Sequence, residues 1–368
     1  MNFFSVMPDF NSNLKNLITD VDGILVGTAE DKELFTGVTV VSSNQPFMAS
    51  VDVRGGGPGT RETDMLSLEN SVGRADAIVL SGGSAFGLDA SSSVQKLLRQ
   101  HKKGYLVGKN IIPLVPSAVI FDLKHNHNYW RETHSIWSVL GGKAYKNLGT
   151  SFQLGSVGAG YGATTGTLMG GQGSASWRQK YSNGEIYTVG ALVINNAVGN
   201  PLINDGPHFL SGHLEVNNEF GGMGTSNKQF DGTLRAKRIN TDFNKSQITM
   251  EKNIKDKSEN ISNTVIGVVA TDAPLNRNQL KRLAIMSHDG IARSIHPSHT
   301  PMDGDTIFAI TIDKNISNDN SKIVFSKDDL LILGSRCSDC VARSCNRAVY
   351  EASNETLEKS NWKNTFKI

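Results

Sequence analysis

One transition constrains this chain more than any other feature. Residues 212–262 are polar, rich in Asn, Lys, Asp, Glu and Ser, and nearly free of aromatics after Phe243. A stretch such as 251–260 cannot bury enough apolar surface to sit in a core. Immediately afterwards, Thr264-Val-Ile-Gly-Val-Val-Ala-Thr271 is almost continuously apolar and β-branched, which predicts a buried strand. The chain should therefore fold as dense blocks on either side of an exposed connector over 212–262, with a strand opening abruptly at Thr264. A structureless stretch of that length inside a compact chain is uncommon, and is usually functional or a linker.

Elsewhere strands and helices alternate without a fixed rhythm. Residues 17–53 carry short apolar runs between turns (Leu17-Ile18, Ile24-Leu25-Val26, Val38-Thr39-Val40-Val41), which predicts strands and tight loops. Ala77-Ile78-Val79-Leu80 predicts a buried strand that passes through Ser81-Gly82-Gly83 into a helix over 85–99. Residues 111–123 read as a buried extended segment, biased to an edge or a turn by its two prolines. A strand is expected over 187–196, an amphipathic helix over 279–295 and a buried strand over 305–312, and Leu330 to Leu333 with the stretch from Cys340 to Ala352 suggest a final helix. Strict βαβ repetition is missing, so the pattern points to an α+β fold of several layers. The 368 residues would make two or three domains at roughly 150 each, or one large one.

Charge and apolar patterning exclude several classes. Lys plus Arg is 37 and Asp plus Glu is 35, giving a net charge of +2. That balance does not suit a non-specific nucleic-acid binder. No run approaches 18 apolar residues, and the N-terminus lacks the basic and apolar regions of a signal peptide, so no membrane span and a cytoplasmic location are expected.

Three groups of residues invite chemistry. The glycine clusters at 55–59 and 155–173 match neither a phosphate loop nor a dinucleotide fingerprint. Cys337, Cys340 and Cys345 lack a fourth ligand nearby, and the spacing of His296, His299, Asp303 and Asp305 fits no standard metal signature, so no metal or cofactor is expected. Asp303-Gly304-Asp305 could equally be turn chemistry before a strand. Thr264 is different. If the chain were cut before it, its own α-amine could serve as base for its hydroxyl.

These same residues resemble peptidase family S58, the DmpA-type group of L-aminopeptidase/D-esterases, β-peptidyl aminopeptidases and nylon-oligomer hydrolases. The resemblance runs from Asn16-Leu-Ile-Thr-Asp-Val-Asp-Gly through Val53-Arg-Gly-Gly-Gly-Pro-Gly-Thr-Arg-Glu-Thr63 and Leu80-Ser-Gly-Gly-Ser-Ala-Phe-Gly-Leu-Asp89. Its most specific parts are Asn263-Thr264-Val-Ile-Gly-Val-Val-Ala-Thr-Asp272 and His296-Pro-Ser-His-Thr-Pro-Met-Asp-Gly-Asp305. The resemblance implies a four-layer αββα sandwich, shared with the ornithine acetyltransferases, in a single peptidase domain over 1–368. It also implies self-cleavage at Asn263–Thr264 into an α chain of 1–263 and a β chain of 264–368. Thr264 would then be the nucleophile. Asn196 would help hold the oxyanion, although Asn195 competes for that assignment. Asp303 and Asp305 would position the nucleophile and its amine. A small peptide or amide substrate and a homo-oligomer, a tetramer in the family, are further implications.

Two departures stand out. Nylon-oligomer hydrolases carry a Lys where this chain has Thr167, and a Tyr where it has Phe121. The missing Lys motivates an alternative in which the protein is an inactive scaffold. An acyltransferase of the same fold type is a third expectation.

Overall fold

A computed structural model of the chain describes residues 14–123, 129, 135–237, 263–312, 325–353 and 360–367. Its strands are β1 (Ile24–Asp31), β2 (Thr36–Val53), β3 (Thr60–Arg61), β4 (Arg74–Ser81), the hairpin β5 (Tyr105–Val107) and β6 (Asn110–Ile112), and β7 (Ser117–Val119). They continue with β8 (Thr164–Thr165), β9 (Leu168–Met169), β10 (Gly171–Lys180), β11 (Ile186–Asn196), β12 (Thr264–Thr271) and β13 (Thr306–Thr311). The helices are α1 (Ala90–Gln100), α2 (Ile136–Lys146), α3 (Arg277–Ser294), α4 (Lys327–Tyr350) and α5 (Trp362–Phe366).

The strand order is β10-β11-β12-β13-β2-β4-β7-β3, with β1 also on β2. The 18-residue β2 is shared between two halves. Its first part pairs with β1 and β4, its last part with β13, and its register slips between Ser42 and Phe47. Three apolar clusters follow from period-two alternation. Val38 and Val40 of β2, with Ala77 and Val79 of β4, pack on α1 and α2. Val189, Val193, Val265, Val269 and Ile307 pack on α3 and α4. Between them lies a cluster of strand residues from both halves, including Val26, Ile78, Ile194, Ile266, Val268 and Phe308. Helix, sheet, sheet and helix therefore stack as an αββα sandwich.

Sequence reading and structure differ at several places. The helix expected from residue 85 begins as a 3-10 turn over Ser84–Asp89, and α1 proper starts at Ala90. Helix α4 is one continuous element holding all three cysteines in its buried face, and the short α5 follows it. Strand β10 lies where only a glycine cluster was legible. Its glycines let α4 approach closely: a Cβ on Gly173 would lie 1.9 Å from the Ser344 carbonyl oxygen. In the first part of the connector, 212–237, exposed and half-buried residues alternate, and Gly212, Phe220 and Lys237 are buried. The remainder, 238–262, lies outside the described residues. Among the described residues, no helix is long and apolar enough to cross a membrane.

Candidate active site

The alternation that builds the cores also builds the site. Ile266, Val268 and Ala270 of β12 face the layer between the sheets, and Thr264 shares their parity. Leu192 and Ile194 of β11 face the same layer, so Asn196 does too. Asn196, not Asn195, stands directly opposite Thr264 in the antiparallel register. Asn195 points the other way, toward α4, where its Nδ2 donates to the Cys345 carbonyl at 3.2 Å. The pleat thus separates the two asparagines that the sequence left ambiguous.

Strands β12 and β13 are parallel and joined through α3, which returns the chain to the same end of the sheet. The turn 300–305 before β13 therefore lies beside the start of β12. Asn263 forms an isolated bridge with Asp303, and its N–H donates to the Met302 carbonyl at 3.3 Å. Asp305 Oδ1 accepts the N–H of Val265 at 2.7 Å. Asp303 accepts the Val198 N–H at 3.3 Å on Oδ1, and the Thr300 N–H at 2.8 Å and hydroxyl at 2.6 Å on Oδ2. Burial pushes the Asp303 carboxyl above the usual carboxylate range, and the neighbouring Asp305 adds to that push.

The bond between residues 263 and 264 is buried on both sides. The Thr264 hydroxyl donates to the Asn263 carbonyl oxygen, the carbonyl of that bond. The Gly304 N–H points at the same place, 3.0 Å from the Asn263 oxygen and 3.2 Å from Thr264 Oγ1. Close approach forces the glycine: a Cβ on residue 304 would lie 2.9 Å from both Thr264 Oγ1 and the Gly57 carbonyl. The first glycine cluster backs this turn, with Gly57 N–H on the Asp303 carbonyl at 2.7 Å and Arg54 N–H on the Asp305 carbonyl at 2.9 Å.

A cation that sequence reading missed also reaches the site. The Lys237 ammonium donates to the Thr164 carbonyl, to the Asn196 carbonyl at 3.3 Å and to Asn196 Oδ1 at 3.5 Å. The Thr164 N–H donates to the same Oδ1 at 3.0 Å, and Asn196 Nδ2 donates to the Phe121 carbonyl at 3.1 Å. Two donors on Oδ1 fix which way the carboxamide faces. Thr167, by contrast, is exposed. Nothing in the pattern around Lys237 marks it out, since it is one Lys among polar residues without periodicity.

His296 and His299 part company. The exposed His296 sets its ring edge-on to Phe230 at 5.9 Å, whereas His299 Nδ1 lies 2.7 Å from Asp305 Oδ2. Among the described residues, no three His, Cys, Asp or Glu side chains are grouped to hold a metal ion.

The arrangement sets a hydroxyl, the carbonyl beside it, an N–H donor to that carbonyl, two carboxylates, a carboxamide and an ammonium around one peptide bond. These are the parts of an acyl-transfer site. The profile of peptidase family S58 matches residues 16–362. An uncharacterized aminopeptidase from Mycobacterium leprae is 36% identical over 353 residues, covering 92% of this chain and 91% of the relative. A 6-aminohexanoate-oligomer endohydrolase from Kocuria sp. is 28% identical, over 84% of this chain and 79% of the relative. Among solved structures, a Burkholderia sp. beta-aminopeptidase superposes with a TM-score of 0.67 at 18% identity, over 98% of this chain and 93% of that one.

Proposed function

The chain belongs to peptidase family S58, and we propose on that premise that it is a self-processing N-terminal-threonine hydrolase of small peptides or related amides. The family is one of amide hydrolases, and this protein is an enzyme of that kind. The observation that carries the finer reading is the Gly304 N–H, shared between the Thr264 hydroxyl and the Asn263 carbonyl.

In the first step Thr264 Oγ attacks the Asn263 carbonyl carbon. The Oγ–C bond forms, the C–N bond breaks, and the hydroxyl proton ends on the released nitrogen. The Gly304 N–H stabilises the charge that develops on the carbonyl oxygen. Water then hydrolyses the ester, leaving a carboxylate on Asn263 and a free amine and hydroxyl on Thr264. The fragments would be 1–263 and 264–368.

In the mature site the amine takes the proton from Oγ as it attacks a substrate amide. Asn196 offers a carboxamide to the oxyanion. Asp303 and Asp305 hold the start of β12 and the new amine. Lys237 lies where it can orient Asn196. We expect a homo-oligomer, which light scattering would test.

The testing experiment is product analysis of the purified protein against aminoacyl p-nitroanilides, β-peptides and 6-aminohexanoate oligomers, with Thr264→Ala as control. Hydrolysis by the wild type and none by the variant is the expected result. Equal activity in both would end the reading.

A further inference from the structure

We propose that His299 is a positioning residue for Asp305, holding its carboxylate against the start of β12 and so setting where the Thr264 amine sits in the processed enzyme. The proposal rests on the reading of Thr264 as nucleophile.

His299 makes two contacts to one oxygen. Its backbone N–H donates to Asp305 Oδ2 at 3.1 Å, and its ring Nδ1 lies 2.7 Å from the same atom. A carboxylate oxygen accepts only, so the ring must carry its proton on Nδ1. The other oxygen, Oδ1, is left to the Val265 N–H, one residue from the nucleophile. With Oδ2 held from two directions, the carboxylate cannot rotate away from β12.

The backbone at His299 is unusual. Its φ is +54°, a left-handed value uncommon outside glycine but tolerated by His and Asn. The turn needs only the backbone N–H to stay attached to Asp305. The shorter ring contact is an addition to that, which a purely structural turn does not require.

The surroundings keep the ring in place. His288, on α3, packs edge-on against it with ring centroids 5.0 Å apart. His288 Nε2 lies 3.0 Å from the Asp52 carbonyl, which fixes its proton there. Its Nδ1 is buried without a hydrogen-bond partner. Burial holds the His288 pKa down at about 4, with His299 contributing, so His288 is a neutral wall at pH 7. Behind it, the Asp52 carboxylate is engaged by Lys281 at 2.7 Å and Arg54 at 2.9 Å. Asp305 is therefore the carboxylate that the His299 ring serves.

Two substitutions separate positioning from general structure. His299→Ala keeps the backbone contact and loses the ring donor. His299→Asn restores an N–H near the Nδ1 position and accepts the same φ. The probes are the p-nitroanilides of L-alanine, β-alanine and 6-aminohexanoic acid, with wild type and Thr264→Ala alongside. Conversion of the full chain to fragments, which needs no added substrate, is followed in the same proteins.

The expected result is a kcat at least roughly tenfold lower in His299→Ala with KM within about twofold, since small misplacements of reacting groups cost this much or more. His299→Asn should recover most of the loss, with melting temperatures alike. A His299→Ala enzyme with wild-type kcat, while Thr264→Ala is silent, would overturn the proposal and leave the function standing. So would two His299 variants equally impaired. Should Thr264→Ala match wild type, the functional reading falls and this proposal falls with it. If His299→Ala does not fold, His299→Leu against His299→Asn carries the same comparison.

Discussion

Asn196, the last residue of β11, lies directly across the antiparallel ladder from Thr264, the first residue of β12. Residues so paired have Cβ atoms about 4.5–5.5 Å apart. A carboxamide is thus within side-chain reach of the hydroxyl that the proposed reaction uses. Asn196→Ala should lower kcat about a hundredfold, as loss of one oxyanion donor does elsewhere. Steady-state kinetics would show it, with Asn195→Ala as the contrast. The second variant should lower the melting temperature, because Asn195 ties β11 to α4.

Asp305 and Asp303 bind different parts of the same turn. Asp305→Asn presents an amide where Val265 donates to one carboxylate oxygen and the His299 N–H and ring both meet the other, so one contact is lost if the NH2 faces Val265 and two if it faces His299. The fold should survive and hydrolysis should fall about a hundredfold or more, the scale of a lost acid–base positioning group. Activity near wild type in Asp305→Asn would remove its role.

The two fragments should not separate after cleavage. The fragment beginning at Thr264 supplies β12 and β13, which pair with β11 on one side and β2 on the other, both from the first fragment. Its helices α3 and α4 close the same apolar cluster with Val189 and Val193. Size exclusion without denaturant should yield both fragments in one peak. Elution of either fragment alone would contradict this arrangement.

His288 ties stability to pH. Its pKa falls from an ordinary 6.5 to about 4 in the fold, chiefly through burial. The unfolded chain therefore binds the proton first, so stability is full above pH 6.5 and is lost as pH falls toward 4. A shift of that size amounts to roughly 3 kcal/mol. Melting temperature should decline across that window, and the decline should flatten in His288→Asn.

The sequence was most legible where apolar runs were longest. Strands β11, β12 and β13 and helix α3 lie close to where their patterns placed them, because a buried strand or an amphipathic helix must write its period into the chain. Helix α2 was missed because Gly141 and Gly142 interrupt its apolar face. Strand β10 was missed because Gly171 and Gly173 are small for the sake of α4 rather than for any strand preference. The proximity of Asp303 and Asp305 to Thr264 was readable from one strand–helix–strand return. Lys237 was not, because its role depends on where a polar segment without periodicity comes to rest.

Intact-mass measurement of the purified chain after prolonged incubation tests the central claim most directly. Wild type should convert from one 39.8 kDa chain into fragments 1–263 and 264–368, while Thr264→Ala stays whole. A wild-type chain that remains at 39.8 kDa would contradict Thr264 as a self-released nucleophile.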